Sequence, residues 1–200
     1  MELKKVYEER RSINFFDKEK GLNDSLLREI IDRAVLAPSA FNLQPWEIIA
    51  VKTEEGKKKL YENGLSQAKV LEAPVTLLIL GDRHGYGAEN TSWLNTENEE
   101  NRKKSQKMAE KLYGSTEEMK IKFAESNAGL LAMSIMYAAK DLGVDTHAMS
   151  GMDFKKIKEG LEIEGEKEVV MAISLGYLDN SKTLYERLKR KKYDEIVKEI

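Results

Sequence analysis

Ala37-Pro38-Ser39-Ala40-Phe41-Asn42-Leu43-Gln44-Pro45-Trp46 joins a helix to a strand and sets the order of the elements around it. Upstream, Leu26, Leu27, Ile30, Ile31, Ala34 and Val35 repeat with the 3.6-residue period of an amphipathic helix, and Asn23 or Asp24 is placed to cap its start. Pro38 ends that helix, because proline pushes the residue before it out of the helical region. Downstream, Trp46 to Val51 (WEIIAV) is an apolar run of strand length. Small and amide side chains lie between. Such a junction exposes backbone and side-chain hydrogen-bonding groups together, which suits a cradle for a polar planar ligand as well as an ordinary connecting loop.

Outward from this stretch, helices and strands interleave. Leu3 to Glu9 reads as a short helix ending near Arg10–Ser12, and Thr53 caps a lysine-rich helix to about Asn63. Val75 to Leu80 (VTLLIL) is a second strand, and Val169 to Leu175 (VVMAISL) a third; Asp145 to Met149 is expected as a shorter one. Asp153 is placed to cap a helix to about Leu161. The longest predicted helix runs from Glu117 to Leu142, closed by Gly143. Its middle, Ala128 to Ala139 (AGLLAMSIMYAA), is nearly all apolar, and a helix apolar on every side is buried on every side. In a chain this small, that calls for a second subunit as well as the chain's own sheet. Arg83 to about Ser115 is polar, with Trp93, Leu94, Met108, Leu112 and Tyr113 as scattered anchors; a helix between Glu97 and Tyr113 is expected inside it. The tail beyond Asp179 is basic and has no core pattern. These elements predict one domain over 1–200, of α+β or mixed α/β class, with an insertion at about 83–115 and a C-terminal arm at about 179–200.

Composition narrows the chemistry. Lys and Arg number 33 against 35 Asp and Glu, so the net charge of −2 makes no broad case for nucleic acid. The absence of cysteine removes disulfides, thiolate nucleophiles and thiolate metal ligands, so redox chemistry requires a bound cofactor. His84 and His147 are the only histidines and lie far apart, which argues against a metal site. The charged N-terminus lacks an apolar signal core, and no apolar run approaches the roughly 20 residues that span a bilayer. A cytoplasmic protein with no membrane partner is expected. No GxGxxG, HExxH or GxSxG occurs, and Gly160 to Lys167 lacks the ending and the preceding strand of a P-loop.

Four further groups of residues carry possible chemistry. Arg10-Arg11-Ser12 sets two guanidinium groups and a hydroxyl at a helix end, a plausible phosphate site, although a charged surface turn is the commoner fate of such a triplet. Gln67 and Lys69 are polar positions just before a buried strand. Ser150 and Gly151 follow another strand, where glycine lets backbone approach a ligand closely. Arg187, Lys189, Arg190, Lys191 and Lys192 form a cationic cluster in the tail, a pattern more often solvated than functional.

Taken together and in this order, these groups resemble the nitroreductase-like flavoprotein family over almost the whole chain. The specific matches are Arg10-Arg11-Ser12-Ile13-Asn14, and above all Ala37-Pro38-Ser39-Ala40-Phe41-Asn42-Leu43-Gln44-Pro45-Trp46, which is close to the family's A-P-S-x-x-N-x-Q-P-W. The resemblance implies a mostly antiparallel central sheet flanked by helices, and an intertwined homodimer with two FMN sites at the subunit interface. It implies that Arg10 and Ser12, with Arg11, Arg190 and Lys189, hold the FMN phosphate. Pro38, Ser39, Ala40 and Asn42 then come from the partner chain to line the flavin ring and ribityl chain. Gln67 and Lys69 match positions at the pyrimidine edge, and Ser150 and Gly151 match a loop whose backbone faces flavin N5. The implied activity is two-electron ping-pong transfer of hydride from NADH or NADPH to a nitroaromatic, quinone or similar small-molecule acceptor. Ene reduction, dehalogenation, flavin breakdown and plain FMN binding occur on similar scaffolds. The 83–115 insertion matches the region that covers the flavin, where Trp93 and Tyr113 are placed either to stack on an acceptor or to pack in the core.

Three positions depart from the pattern. Ser66 stands where asparagine is common, and Ser150 where some members have glutamate. Asn14 stands where arginine or lysine is usual, which removes one cation near the pyrimidine edge and leaves Lys69 as the main one. Less positive charge beside a ring that becomes anionic on reduction lowers its potential. Redox titration of Asn14→Lys is therefore expected to give a higher flavin potential than the unsubstituted chain; an unchanged potential would contradict this account of Asn14.

Overall fold

The computed structural model describes residues 2–96 and 98–200. Its elements in chain order are α1 (Leu3–Glu9), α2 (Asp24–Ala34), a 3-10 turn (Ala40–Asn42), β1 (Trp46–Val51), α3 (Glu54–Glu62), α4 (Ala68–Glu72), β2 (Val75–Asp82), a second 3-10 turn (Thr91–Asn95), α5 (Glu99–Tyr113), α6 (Glu117–Asp141), β3 (Asp145–Met149), α7 (Phe154–Gly160), β4 (Lys167–Gly176) and α8 (Tyr193–Ile196). The caps named from sequence are used: Asn23, Thr53 and Asp153 each accept a backbone N–H of the first turn they precede. Glu97, where the insertion's helix was expected to begin, lies outside the described residues; α5 starts behind Asn98, whose side chain accepts from Glu100 and Asn101 N–H. Four short elements among the described residues have no counterpart in the sequence patterns: α4, α8 and the two 3-10 turns. α4 is only five residues long, and the Ala40–Asn42 turn only three, too short to show a period.

The four strands form one antiparallel sheet in the order β1-β2-β4-β3. This is the expected α+β class with an antiparallel centre. β2 is buried from Val75 to Gly81 and apolar there apart from Thr76, because both of its faces are covered, the usual reason a strand loses its alternation. Val75, Leu77 and Ile79 pack with Ile30 of α2 and with Leu131 and Ile135 of α6. Leu78 and Leu80 pack on the other side with Leu60 of α3, Val70 of α4 and Ile157 of α7. Each fully buried side chain of this size contributes roughly 1.5–3 kcal/mol, so the two layers of helices are fixed by one strand's sequence. Gly81 marks where α6 crosses β2: a Cβ there would lie 2.6 Å from the Ala124 carbonyl oxygen.

The 83–115 segment packs into a separate small cluster of Tyr86, Trp93, Ala109 and Phe123 around Leu43. Trp93 is buried and its indole N–H donates to the Gly87 carbonyl at 2.9 Å. Of the two roles foreseen for it, core packing is the one its position serves. Tyr113 is half-buried against Phe123, with ring centroids 4.6 Å apart. Arg83 pins the base of the segment through Glu117, Glu166 and Glu168 at 3.1–3.3 Å.

The single chain is surface-rich. A compact monomer of 22.8 kDa exposes about 9,600 Å² by the usual scaling, whereas this chain exposes 12405 Å². The excess includes apolar side chains: Leu36 and Leu188 are more than four-fifths exposed, and Leu130, in the apolar middle of α6, is half exposed. Among the described residues no helix is long and apolar enough to cross a membrane.

Candidate functional site

The junction between α2 and β1 is a strained loop. Phe41, Asn42 and Gln44 have φ of 51°, 55° and 49°, in the left-handed region that L side chains avoid. Each such residue costs of order 1 kcal/mol and persists only where surrounding contacts dictate it. Those contacts are present. Ser39 Oγ accepts the Gln44 N–H at 2.9 Å, and the Ser39 carbonyl accepts the Asn42 N–H. The Phe41 ring rests on Trp93 and Tyr113, and Leu43 is buried beneath. The link to the core is Asn127 of α6, which is 5% exposed: its Oδ1 accepts the Ala40 N–H at 2.8 Å, and its amide nitrogen donates to the Phe123 carbonyl at 2.6 Å. Sequence reading missed Asn127. The signal was an asparagine on the stripe Phe123, Ala124, Asn127, Ala128 and Leu131, all of which face inward.

A second group assembles along β3, at the opposite edge of the sheet. Ser12 bridges to Thr146, and the Ile13 N–H donates to the Thr146 carbonyl at 3.1 Å, so the Arg10–Asn14 segment extends the sheet beyond β3. His147 Nδ1 donates to the Ile13 carbonyl at 2.6 Å. Lys69, on α4, reaches the same place: its ammonium is 3.3 Å from Gln67 Oε1 and acts on the His147 ring. Ser150 and Gly151 leave the end of β3 exposed, and the Asp153 N–H ties their loop to the Gly64 carbonyl, next to the turn that leads to Gln67. The Ser66 hydroxyl is turned away to the Tyr61 carbonyl. From the tail, Arg187 donates to the Glu9 and Arg10 carbonyls at 2.9 and 3.2 Å, while Arg11 donates to the Tyr185 carbonyl. Lys189 and Arg190 lie exposed farther along the tail and make no hydrogen bond or ion pair among the described residues. Arg187 and His147 are thus two residues at this place to which sequence reading assigned no role.

The electrostatics of this group are one-sided. Arg10, Arg11, Lys69 and Arg187 form no ion pair with a carboxylate among the described residues. The Arg11 Nε is buried and has no hydrogen-bond partner. An orphaned guanidinium N–H amid unpaired cations is a demand for an anionic acceptor. Gly151 leaves open space beside its backbone, since a Cβ there would meet nothing within 4 Å. Burial holds the His147 imidazole below its ordinary value; the Ile13 carbonyl opposes that shift and the Lys69 charge reinforces it.

One chain does not bring the two groups together. The Pro38–Asn42 loop leads into β1 and the Arg10–Lys69–Ser150 group flanks β3, and these strands are the two edges of the sheet. Three strand spacings, roughly 14 Å, separate them.

The nitroreductase family model matches residues 7–177. MhqN of Bacillus subtilis, assigned by its name to the NAD(P)H nitroreductases, is 34% identical over 84% of this chain and 84% of its own length. A Thermus thermophilus protein named NADH dehydrogenase is 29% identical over 84% of this chain and 82% of its own. The crystal structure of the B. subtilis ydfN protein, described as a nitroreductase, is 31% identical and superposes with a TM-score of 0.89 over 100% of this chain and 99% of that one.

Two outcomes follow from the geometry. Asn127→Ala strands the Ala40 N–H in a half-buried site and is expected to lower stability by about 2 kcal/mol in urea denaturation; a loss near zero would show that the loop does not depend on this amide. His147 titrates with a lower value in the fold than in the unfolded chain, so the unfolded chain binds more protons as pH falls below about 6.5. The stability of the native chain relative to His147→Gln is therefore fully retained above that pH and falls below it. Paired thermal melts at pH 7.5 and 5.5 check this, and a difference that stays constant between the two would refute it.

Proposed function

The chain belongs to the nitroreductase family, and on that premise we propose that it is an FMN-dependent oxidoreductase. It uses NADH or NADPH to reduce nitroaromatic, quinone or similar small-molecule acceptors, and it works as a homodimer in the cytoplasm, where the reduced nucleotides are supplied. The observation that carries the reading is that Arg10, Arg11, Lys69 and Arg187, on or against the segments that flank β3, pair with no carboxylate among the described residues, while the buried Arg11 Nε has no hydrogen-bond partner. A phosphate monoester at one end and an anion-prone ring at the other fit that donor set.

On this reading Arg10, Arg11 and Ser12 hold the phosphate through charge-assisted hydrogen bonds. Arg187 braces them from the tail, and Lys189 and Arg190 close over the phosphate. Lys69, steadied by Gln67, supplies positive charge at the pyrimidine edge, with Asn14 as a neutral neighbour. The backbone of Ser150 and Gly151 offers N–H groups beside open space. FMN held by these residues would supply hydride and two-electron redox chemistry, so no side chain need act as nucleophile.

A second copy supplies the remaining wall. Pro38, Ser39, Ala40 and Asn42 sit on the wrong edge of the sheet to serve their own chain's cations, and their loop is rigidly held for use by another. The half-exposed Leu130 on α6, the apolar tail residues and the surface excess are the material of such an interface.

Purified protein is expected to be yellow, to lose its flavin absorbance on anaerobic addition of NADH or NADPH, and to run at about twice its chain mass in light scattering. Arg10→Gln is expected to weaken FMN binding by about tenfold or more, the worth of one charge-assisted phosphate contact. A colourless monomer that cannot be reconstituted with FMN would overturn the reading.

A further inference from the structure

We propose that the groove between the 86–88 turn and α5 seats the adenosine 2′-phosphate end of NADPH, making NADPH the preferred electron donor. This rests on the reading of the chain as an NAD(P)H-dependent flavoprotein.

The groove encloses about 470 Å³, within the range of small-molecule sites. Its floor is Tyr86 and Ala88, and its wall is one face of α5 carrying Lys103, Lys107 and Lys111 with Gln106 and Glu110. Lys103 is engaged by Glu99 at 2.7 Å. Lys107 and Lys111 have no carboxylate partner among the described residues. They stand four residues apart on one face, where like charges repel and destabilise a helix unless an anion lies between them.

Tyr86 is the second, independent observation. It is 3% exposed and lines the groove, yet its hydroxyl makes no hydrogen bond among the described residues and is not fully enclosed. Burial first, then the Glu110 charge, raise its pKa, so it stays a protonated donor. A buried donor without an acceptor, in a groove whose three lysines outnumber its one carboxylate, Glu110, fits a phosphate. The Tyr86 edge, Ala88 and the lysine stems offer apolar surface to a purine, which inorganic phosphate alone would leave unused.

The position suits a donor's remote end. Tyr86 is 6.4 Å by ring centroids from Tyr113, and Tyr113 is 6.4 Å from Phe41, whose neighbours Ala40 and Asn42 belong to the proposed flavin wall. The groove therefore lies two ring contacts from that wall, within the span of an extended dinucleotide.

Calorimetric titration of the FMN-loaded protein with adenosine 2′,5′-bisphosphate tests this without turnover. Lys107→Gln/Lys111→Gln, two exposed positions that leave the core intact, is expected to weaken binding about tenfold or more, and Tyr86→Phe severalfold. Adenosine 5′-phosphate should bind about tenfold more weakly than the bisphosphate and respond little to the lysine changes. In steady state the double variant should raise KM for NADPH, with kcat and the KM for NADH unchanged. Bisphosphate affinity within twofold of the unsubstituted chain in the double variant would overturn the proposal, as would equal binding of the two nucleotides. Binding of inorganic phosphate as tight as that of the bisphosphate would also overturn it, by leaving the purine no role. If FMN binds but neither nucleotide bleaches it, the proposed activity fails, while the bisphosphate titration still decides the groove.

Discussion

A single buried amide holds the strained loop on which the candidate site depends. Asn127 accepts the Ala40 N–H with one end of its side chain and donates to the Phe123 carbonyl with the other, so it is satisfied inside an otherwise apolar helix face. That satisfaction matters because the loop it anchors carries three left-handed residues, none of them glycine. Their strain, of order 1 kcal/mol each, is comparable to the net worth of the few hydrogen bonds that oppose it. The loop is held in one shape by a narrow margin. It gains rigidity from the aromatic cluster of the 83–115 segment, whose packing under Phe41 and around Leu43 is therefore part of the site's construction and not merely its cover.

Rigidity there has a purpose only if something is presented to it. The sheet order keeps the loop and the cation group apart within one chain, because they occupy opposite edges with two buried strands between them. No side-chain rotation crosses that distance. Surface excess and exposed leucines give a second, thermodynamic reason for association, since apolar area left in water costs roughly 25 cal/mol per Å². Geometry and surface thus each fit the proposed dimer, from different quantities.

The sequence showed these features unevenly, for physical reasons. The caps Asn23, Thr53 and Asp153 were legible because capping is local, and β2 was legible because burial on both faces writes a run that is apolar but for Thr76. α4 was not, since five residues hold little more than one helical turn. The left-handed φ values of Phe41, Asn42 and Gln44 were hidden because the residue that normally announces such a backbone, glycine, is missing from the loop. In the tail, Arg187 rather than Lys189 or Arg190 touches the Glu9–Arg10 backbone. An exposed segment without periodicity gives no way to say which of several neighbouring cations turns inward. The two roles of Trp93 could not be separated by composition, and its buried indole and bond to Gly87 separate them.

The unpaired cations raise a question of cost. The chain has 35 acidic residues for 33 basic ones, so no shortage of carboxylates leaves Arg10, Arg11, Lys69 and Arg187 without one. Cations without counter-ions oppose folding where they lie close to one another, and His147, on which the Lys69 charge acts, would add to that if charged. Burial keeps that imidazole neutral at ordinary pH, and its Nδ1–H serves the Ile13 carbonyl without adding positive charge. The fold therefore limits the excess charge to the groups that an anionic ligand would engage directly. Such a ligand stabilises the folded chain by RT ln(1 + [L]/Kd), because it binds the assembled cations and not the dispersed ones. The residues that carry the excess charge are the ones that would make binding selective for an anion.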